Sequence, residues 1–98
     1  MYKLSKPFEF EEKTYEEIDL NLDGLKGSDL EEVDNMMTAA GVFAPVPAVH
    51  RGYCARVAAR ASKLPYEFFA ELPAKDYYAV TQEVSNFLLA TVSMANSR

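Results

Sequence analysis

Tyr2-Lys3-Leu4-Ser5-Lys6-Pro7-Phe8-Glu9-Phe10, then, after Glu11-Glu12, Lys13-Thr14-Tyr15-Glu16-Glu17-Ile18-Asp19-Leu20-Asn21-Leu22, is the stretch that decides the class of this chain. Tyr2, Leu4 and Phe8 alternate approximately with polar neighbours, and Ile18, Leu20 and Leu22 do so cleanly. A period of two puts alternate side chains on one face and marks half-buried strands. Pro7 has no N–H to give to a ladder and fits an edge strand. The polar run Glu11-Glu12-Lys13 is the natural turn, although it lacks the glycine such turns favour. Residues 2–22 therefore read as an antiparallel β-hairpin with one apolar face.

Downstream the period changes. Asp23-Gly24 and Gly27 close the strand pattern, and Ser28-Asp29-Leu30-Glu31 matches a capping box at a helix start. Leu30, Val33, Met37 and Ala40 share one side of a helix expected over 28–40, which Gly41 stops. Val42 to Pro47 is an apolar connector stiffened by Pro45 and Pro47. A second helix is expected over 48–62, with Tyr53, Val57, Ala61 and Leu64 on one face and a basic stripe of Arg56, Arg60 and Lys63 beside it. A short helical turn over 65–71 carries Phe68 and Phe69. The last helix, 73–93, begins with Pro73 in its first turn and has Tyr77, Val80, Val84, Phe87, Leu88 and Thr91 on one side. Tyr78 and Leu89 lie off that stripe. The fold expected is α+β in a single domain over 1–98: an N-terminal antiparallel β-hairpin, then three main α-helices and a short helical turn.

Composition narrows the function classes. The chain has 98 residues and a formal charge of −5, unevenly spread. Eleven acidic residues between Glu9 and Asp34 face only four lysines in the first forty positions, giving that part −7, whereas the remainder carries +2. A net negative charge repels phosphate backbones and argues against nucleic acid as the main partner. Cys54 is the only cysteine, so no disulfide forms within the chain. The first residues lack the apolar run of a secretion signal, and no apolar stretch approaches the ~20 residues that span a bilayer. The expectation is a protein that is not secreted, has no membrane partner, and works in the cytoplasm.

Three motifs invite a chemical reading and fall short. Asp19-Leu20-Asn21-Leu22-Asp23-Gly24 fits the first half of a calcium-binding EF-hand loop, but Leu30 stands where the bidentate Glu belongs, and a strand precedes the loop. Leu20 and Leu22 are equally well the inward face of that strand. His50 and Cys54 are four apart, yet two ligands do not complete a structural zinc site and no other His or Cys exists. Glu11, Glu12, Glu16 and Glu17 cluster around the turn and the outer strand face, where solvated carboxylates belong. No glycine-rich phosphate loop, serine elbow or metalloprotease signature is present. The chain is expected to have no catalytic residues, no metal and no cofactor.

What remains is surface for another protein. Arg56, Arg60 and Lys63 suit either a solvated face or acidic neighbours, namely Glu31, Glu32 and Asp34 of the first helix or the hairpin of another copy. The −7/+2 split suggests head-to-tail self-association into a homo-oligomer, with a salt-sensitive component. Methionines and aromatics are abundant, and such side chains suit adaptable grooves for apolar helices.

The order of segments resembles the phage tail assembly chaperone family. The resemblance rests on Tyr2-Lys3-Leu4-Ser5-Lys6-Pro7-Phe8-Glu9-Phe10, Lys13-Thr14-Tyr15, Ile18-Asp19-Leu20 and Leu25-Lys26-Gly27-Ser28-Asp29-Leu30. It continues through Ala61-Ser62-Lys63-Leu64-Pro65-Tyr66-Glu67 to Leu72, Asp76, Val84, Phe87 and Leu88. Glu12 and Lys63 depart from it, standing where relatives often carry glycine. The resemblance implies a non-enzymatic helper of a tailed phage or prophage. It would bind the apolar, helical tape measure protein before the tail tube polymerises, act in the host cytoplasm, and be absent from the mature virion. A second, longer form made by ribosomal frameshifting is also implied as a possible partner. Contacts with the tape measure protein are expected from Met36, Met37, Phe43, Phe69, Tyr78 and Leu89. The alternative is a small structural tail component, a completion or connector protein, which would remain in purified virions.

Overall fold

A computed structural model describes residues 2–96, with side chains up to residue 90. Strands β1 (Tyr2–Phe10) and β2 (Lys13–Ile18) form a two-stranded antiparallel sheet. Helices α1 (Gly27–Ala39), α2 (Arg51–Ser62), α3 (Tyr66–Ala70) and α4 (Ala74–Asn96) follow, with 3₁₀ turns at Leu22–Gly24 and Pro47–Val49. The α+β order read from the sequence is the order observed.

Several boundaries differ for local reasons. The pairing ends at Tyr2 opposite Ile18, so Leu20 and Leu22 keep their alternation but lie beyond the ladder. There the Leu22 N–H bonds to the Leu20 carbonyl at 2.9 Å and turns the chain away. α1 starts at Gly27, and the acid that caps it is Asp29, not Glu31: the Lys26 N–H donates to Asp29 Oδ2 at 2.8 Å. At its other end Gly41 has φ +74°. The Val42 N–H reaches the Met37 carbonyl at 2.9 Å and the Gly41 N–H that of Thr38 at 3.0 Å, which is a Schellman closure. The expected start of α2 is split, because Pro47–Val49 forms its own turn and His50 caps the helix, its Nδ1 accepting from the Tyr53 N–H at 3.2 Å. α4 begins after Pro73, whose carbonyl accepts the Tyr77 N–H. Thr91, expected on its inner stripe, lies outside the described side chains.

α2 is the central helix. Tyr53, Cys54, Ala55, Val57, Ala58, Ala59 and Ala61 are all buried, because α1, α3 and α4 surround it. Alanines on several sides of one helix let neighbouring backbones approach closely. α4 presents Val80 and Val84, both fully buried, to α2. The hairpin is fastened to this helical layer in two places. Phe68 of α3 is fully buried and packs edge-on against Phe8, Phe10, Tyr15 and Phe69, with ring centroids 4.8–5.4 Å apart. Such pairs add about 0.5–1.5 kcal/mol each beyond the area they bury.

The second fastening is Asp76, a carboxylate with no solvent exposure in the first turn of α4. Oδ1 accepts from the Tyr2 hydroxyl and the Ser5 N–H, each at 3.0 Å, and Oδ2 accepts from the Ser5 hydroxyl at 2.9 Å. Burial pushes its pKa up, but the Ser5 and Tyr2 hydrogen bonds outweigh that, and the carboxyl lies below the ordinary range. A depressed folded-state pKa contributes stability above the unfolded-state value, and that contribution is lost as pH falls through the folded value. Stability should therefore hold from neutral pH down to about 4 and decline below it. Asp76→Asn should cost about 2 kcal/mol at pH 7, since hydrogen bonds to a charged group contribute about 1.5–3 kcal/mol, and should flatten part of the acid decline. Urea titrations at a series of pH values measure both effects.

Two of the non-glycine residues with positive φ are the two departures from the family pattern: Glu12 at +65° and Lys63 at +62°, with Glu11 at +49°. Glu11 and Glu12 are the central residues of the hairpin turn, where positive φ at both positions matches strand twist. Lys63 closes α2, as the Leu64 N–H bonds to the Ala59 carbonyl at 3.1 Å. A left-handed conformation costs an L-residue about 1–2 kcal/mol that glycine does not incur. Glycine also loses more chain entropy on folding, so Glu12→Gly and Lys63→Gly should each stabilise by about 0.5–1 kcal/mol, read as a higher urea midpoint at unchanged slope.

Candidate functional site: an apolar groove

The stripe of α4 outruns the core. Val80 and Val84 are sealed under α2, but Phe87 and Leu88, both about one turn beyond Val84, are only partly buried. Across from them stand Leu22 and Leu25 from the first 3₁₀ turn and its exit, Leu30 of α1, and Pro47 and Ala48 of the connector. Tyr53 of α2 completes the lining of an open groove of about 480 Å³, with Asp23 and Lys26 as its charged edge. Each wall has a local cause. The 3₁₀ turn brings Leu22 and Leu25 inward, held by the Leu25 N–H on the Leu22 carbonyl at 3.2 Å. Pro47 fixes the connector, and the Val49 N–H closes its turn on the Val46 carbonyl at 3.1 Å. The stretch Asp19–Gly24 thus supplies a groove wall.

The connector carries three of the exposed large apolar side chains among the described residues. Phe43 is 83% exposed, and Val46 and Val49 more than half. Leu89 of α4, next to the groove residue Leu88, is 44% exposed. Large apolar side chains clustered along two adjoining elements are more informative than the same residues scattered singly.

Of the six expected contact residues, Met36, Phe43, Tyr78 and Leu89 are exposed, whereas Met37 and Phe69 are not. Met37 packs inward beside Val33 on the buried side of α1, and Phe69 is fully enclosed behind Phe68. Neither presents surface to a partner in this fold, and both are withdrawn from the set. Tyr78 and Leu89 share a face of α4, eleven residues apart, or about 16 Å at 1.5 Å per residue. Gln82 and Asn86 lie between them, joined amide to amide at 3.0 Å, so that face is interrupted by polar groups. Tyr78 belongs instead to a separate patch: the Arg51 guanidinium lies 4.1 Å over its ring, while the same side chain donates to Thr81 Oγ1 and Gln82 Oε1, both at 3.1 Å. Sequence reasoning missed Leu22, Leu25, Leu30, Val46, Val49, Phe87 and Leu88. The available signal was an α4 stripe longer than the helices that cover it.

The charged residues fall out differently from a free basic stripe. Arg60 Nη2 is 2.6 Å from Asp29 Oδ1 and Nη1 is 3.4 Å from Glu32 Oε2, both within the chain. The hydrogen bond from Arg60, then that from the Lys26 backbone, hold the Asp29 carboxyl below its usual range. Arg56 donates to the Gly52 carbonyl at 3.1 Å and lies 4.2 Å over the Tyr66 ring. Lys63, Glu31 and Asp34 remain exposed. Burial raises the Cys54 thiol, against a smaller opposing pull from Arg51, so it stays protonated and unreactive at neutral pH. Its sulfur lies 3.5 Å from the Ala48 carbonyl, and His50 is occupied as the α2 cap. Among the described residues, no helix is long and apolar enough to cross a membrane, and no three His, Cys, Asp or Glu side chains converge as metal ligands.

A family model described as phage tail assembly chaperone proteins, E, or 41 or 14, matches residues 1–89. No curated protein and no solved structure matches the chain significantly.

Proposed function

The chain belongs to the phage tail assembly chaperone family, and on that premise we propose that it covers apolar helical segments of the tape measure protein and keeps them soluble until the tail tube polymerises around them. The observation that carries this reading is the groove walled by Leu22, Leu25, Leu30, Phe87 and Leu88 beside the exposed connector Phe43, Val46 and Val49. An amphipathic helix lays its apolar ridge into such a channel and leaves its polar face in water. The lining is aliphatic and aromatic side chains with few polar groups, which grips apolar surface without demanding one sequence. That is the property needed to cover a long chain at many places. Release needs no chemistry, because a modest apolar contact is reversible by mass action. The action belongs in the host cytoplasm, before the particle is complete, and the protein would leave with the tape measure's exposure.

Co-expression with the tape measure protein tests this directly. The tape measure protein should be soluble with the wild-type chain and sediment without it. A tape measure protein equally soluble in both cases, or insoluble in both, would refute the reading.

A further inference from the structure

We propose that the outer edge of β2 joins two copies of this chain, with Tyr15 on the two-fold axis and Lys13 of each copy opposite Glu17 of the other. A two-stranded sheet has two open edges. That of β1 is spent: Pro7 has no N–H, the pairing is irregular between Lys3 and Phe8, and the Ser5 N–H is given to Asp76. That of β2 is not. Among the described residues, no backbone hydrogen bond outside the hairpin involves any residue from Lys13 to Ile18.

The register of the hairpin fixes which groups point outward. Phe10 pairs with Lys13 across the two-residue turn, and residues flanking such a turn exchange both backbone bonds. Lys13, Tyr15 and Glu17 therefore direct their N–H and C=O toward β1, and Thr14 and Glu16 direct theirs outward. A second strand must meet outward groups with outward groups. Antiparallel self-pairing consequently has an axis on a residue, never between two. An axis on Glu16 sets that carboxylate against its own copy, and an axis on Thr14 sets Glu12 against Glu16. An axis on Tyr15 pairs Thr14 with Glu16 twice, each pair exchanging both backbone bonds, and brings Lys13 opposite Glu17 twice. Lys13, Thr14, Glu16 and Glu17 are all exposed. Charges on an edge strand normally guard against indiscriminate pairing. Here their order blocks the neighbouring registers and favours one.

The result is a four-stranded sheet and two apolar grooves on one assembly, so that capture of a second segment of the same apolar chain becomes intramolecular. The pairing itself does not depend on what the groove binds.

Sedimentation equilibrium of the purified full chain over a concentration series tests it. The wild type should show a monomer–dimer equilibrium. Glu16→Pro removes an outward N–H without touching the ladder to β1 and should give monomer with unchanged far-UV circular dichroism. Lys13→Glu and Glu17→Lys should each weaken dimerisation by on the order of tenfold or more, since each turns two attractive cross-strand pairs repulsive. The double reversal should restore it. Wild type that is monomeric throughout, a dimer indifferent to the single reversals, or a folded double reversal that stays monomeric would overturn the proposal. Because one groove per monomer remains in Glu16→Pro, its binding of a single apolar helix should be unchanged. Failure of the dimer is thereby distinguishable from failure of the groove.

Discussion

Phe68→Ala is expected to lose about 4 kcal/mol of folding stability, because truncating a buried Phe costs about 3–5 kcal/mol. Its ring is fully enclosed and touches aromatic rings from both strands of the hairpin and from its own helix. Removal leaves a void bounded by Phe8, Phe10, Tyr15 and Phe69, and α3, only five residues long, cannot collapse into it without losing its own packing. A domain of this size has a total stability of about 5–15 kcal/mol. The variant is therefore expected to be marginal at 37 °C, with a urea midpoint displaced far below that of the wild type. Phe68→Leu should recover roughly half of the loss. A loss under about 1 kcal/mol for Phe68→Ala would show that the hairpin is not seated on α3 as described.

Leu88→Glu is expected to abolish the covering of an apolar helical partner while leaving the protein folded. Leu88 is partly exposed and sits on a long helix where Glu is as good a helix former as Leu. The folding cost should be small. The binding cost is not, because an apolar helix seated in the groove would strip water from a carboxylate in a lining that holds one basic side chain, Lys26 at the rim. A loss of about 3 kcal/mol corresponds to on the order of a hundredfold in affinity. Phe43→Ser, at the most exposed of the described large apolar side chains, should weaken binding less and leave stability within about 0.5 kcal/mol of wild type. Co-expression of the tape measure protein with each variant, compared by the soluble fraction, ranks them.

The class of the fold was readable because its signals are periodic: Tyr2, Leu4, Phe8 and Phe10 for the strands, and Val80 and Val84 at helical spacing for the long helix. Boundaries were less readable where the pattern outlives the structure. Leu20 and Leu22 continue the alternation of Ile18, but nothing pairs with them, and a 3₁₀ turn converts a strand face into a groove wall. Helix α3 defeated face assignment because five residues offer little more than one turn, and both Phe68 and Phe69 are enclosed between hairpin and α2. Met37 shares a helix face with Leu30 and Val33 in the sequence itself, so its burial was legible from the period, and counting it as a contact residue beside Met36 overrode that signal. Of the basic stripe, Arg56 and Arg60 lie on α2 and Lys63 is the left-handed residue that closes it, and the electrostatics depend on the third dimension: Arg60 turns to Asp29 and Glu32 and Arg56 to Tyr66, so little of the stripe is left for another copy. The open edge of β2, by contrast, follows from the hairpin register alone and carries its charges in a self-complementary order.

On the proposed function, the groove between the first 3₁₀ turn, the connector and the C-terminal half of α4 receives apolar helical surface. Titration of isotopically labelled protein with a peptide from an apolar, helical stretch of the tape measure protein, followed by amide and methyl NMR shifts, tests it most directly. Perturbations should concentrate at Leu22, Leu25, Leu30, Val46 and Leu88, with the Arg51–Tyr78 patch and the β2 edge unmoved. Perturbations confined to the hairpin or to the basic side of α2, with those five residues unchanged at saturation, would contradict it.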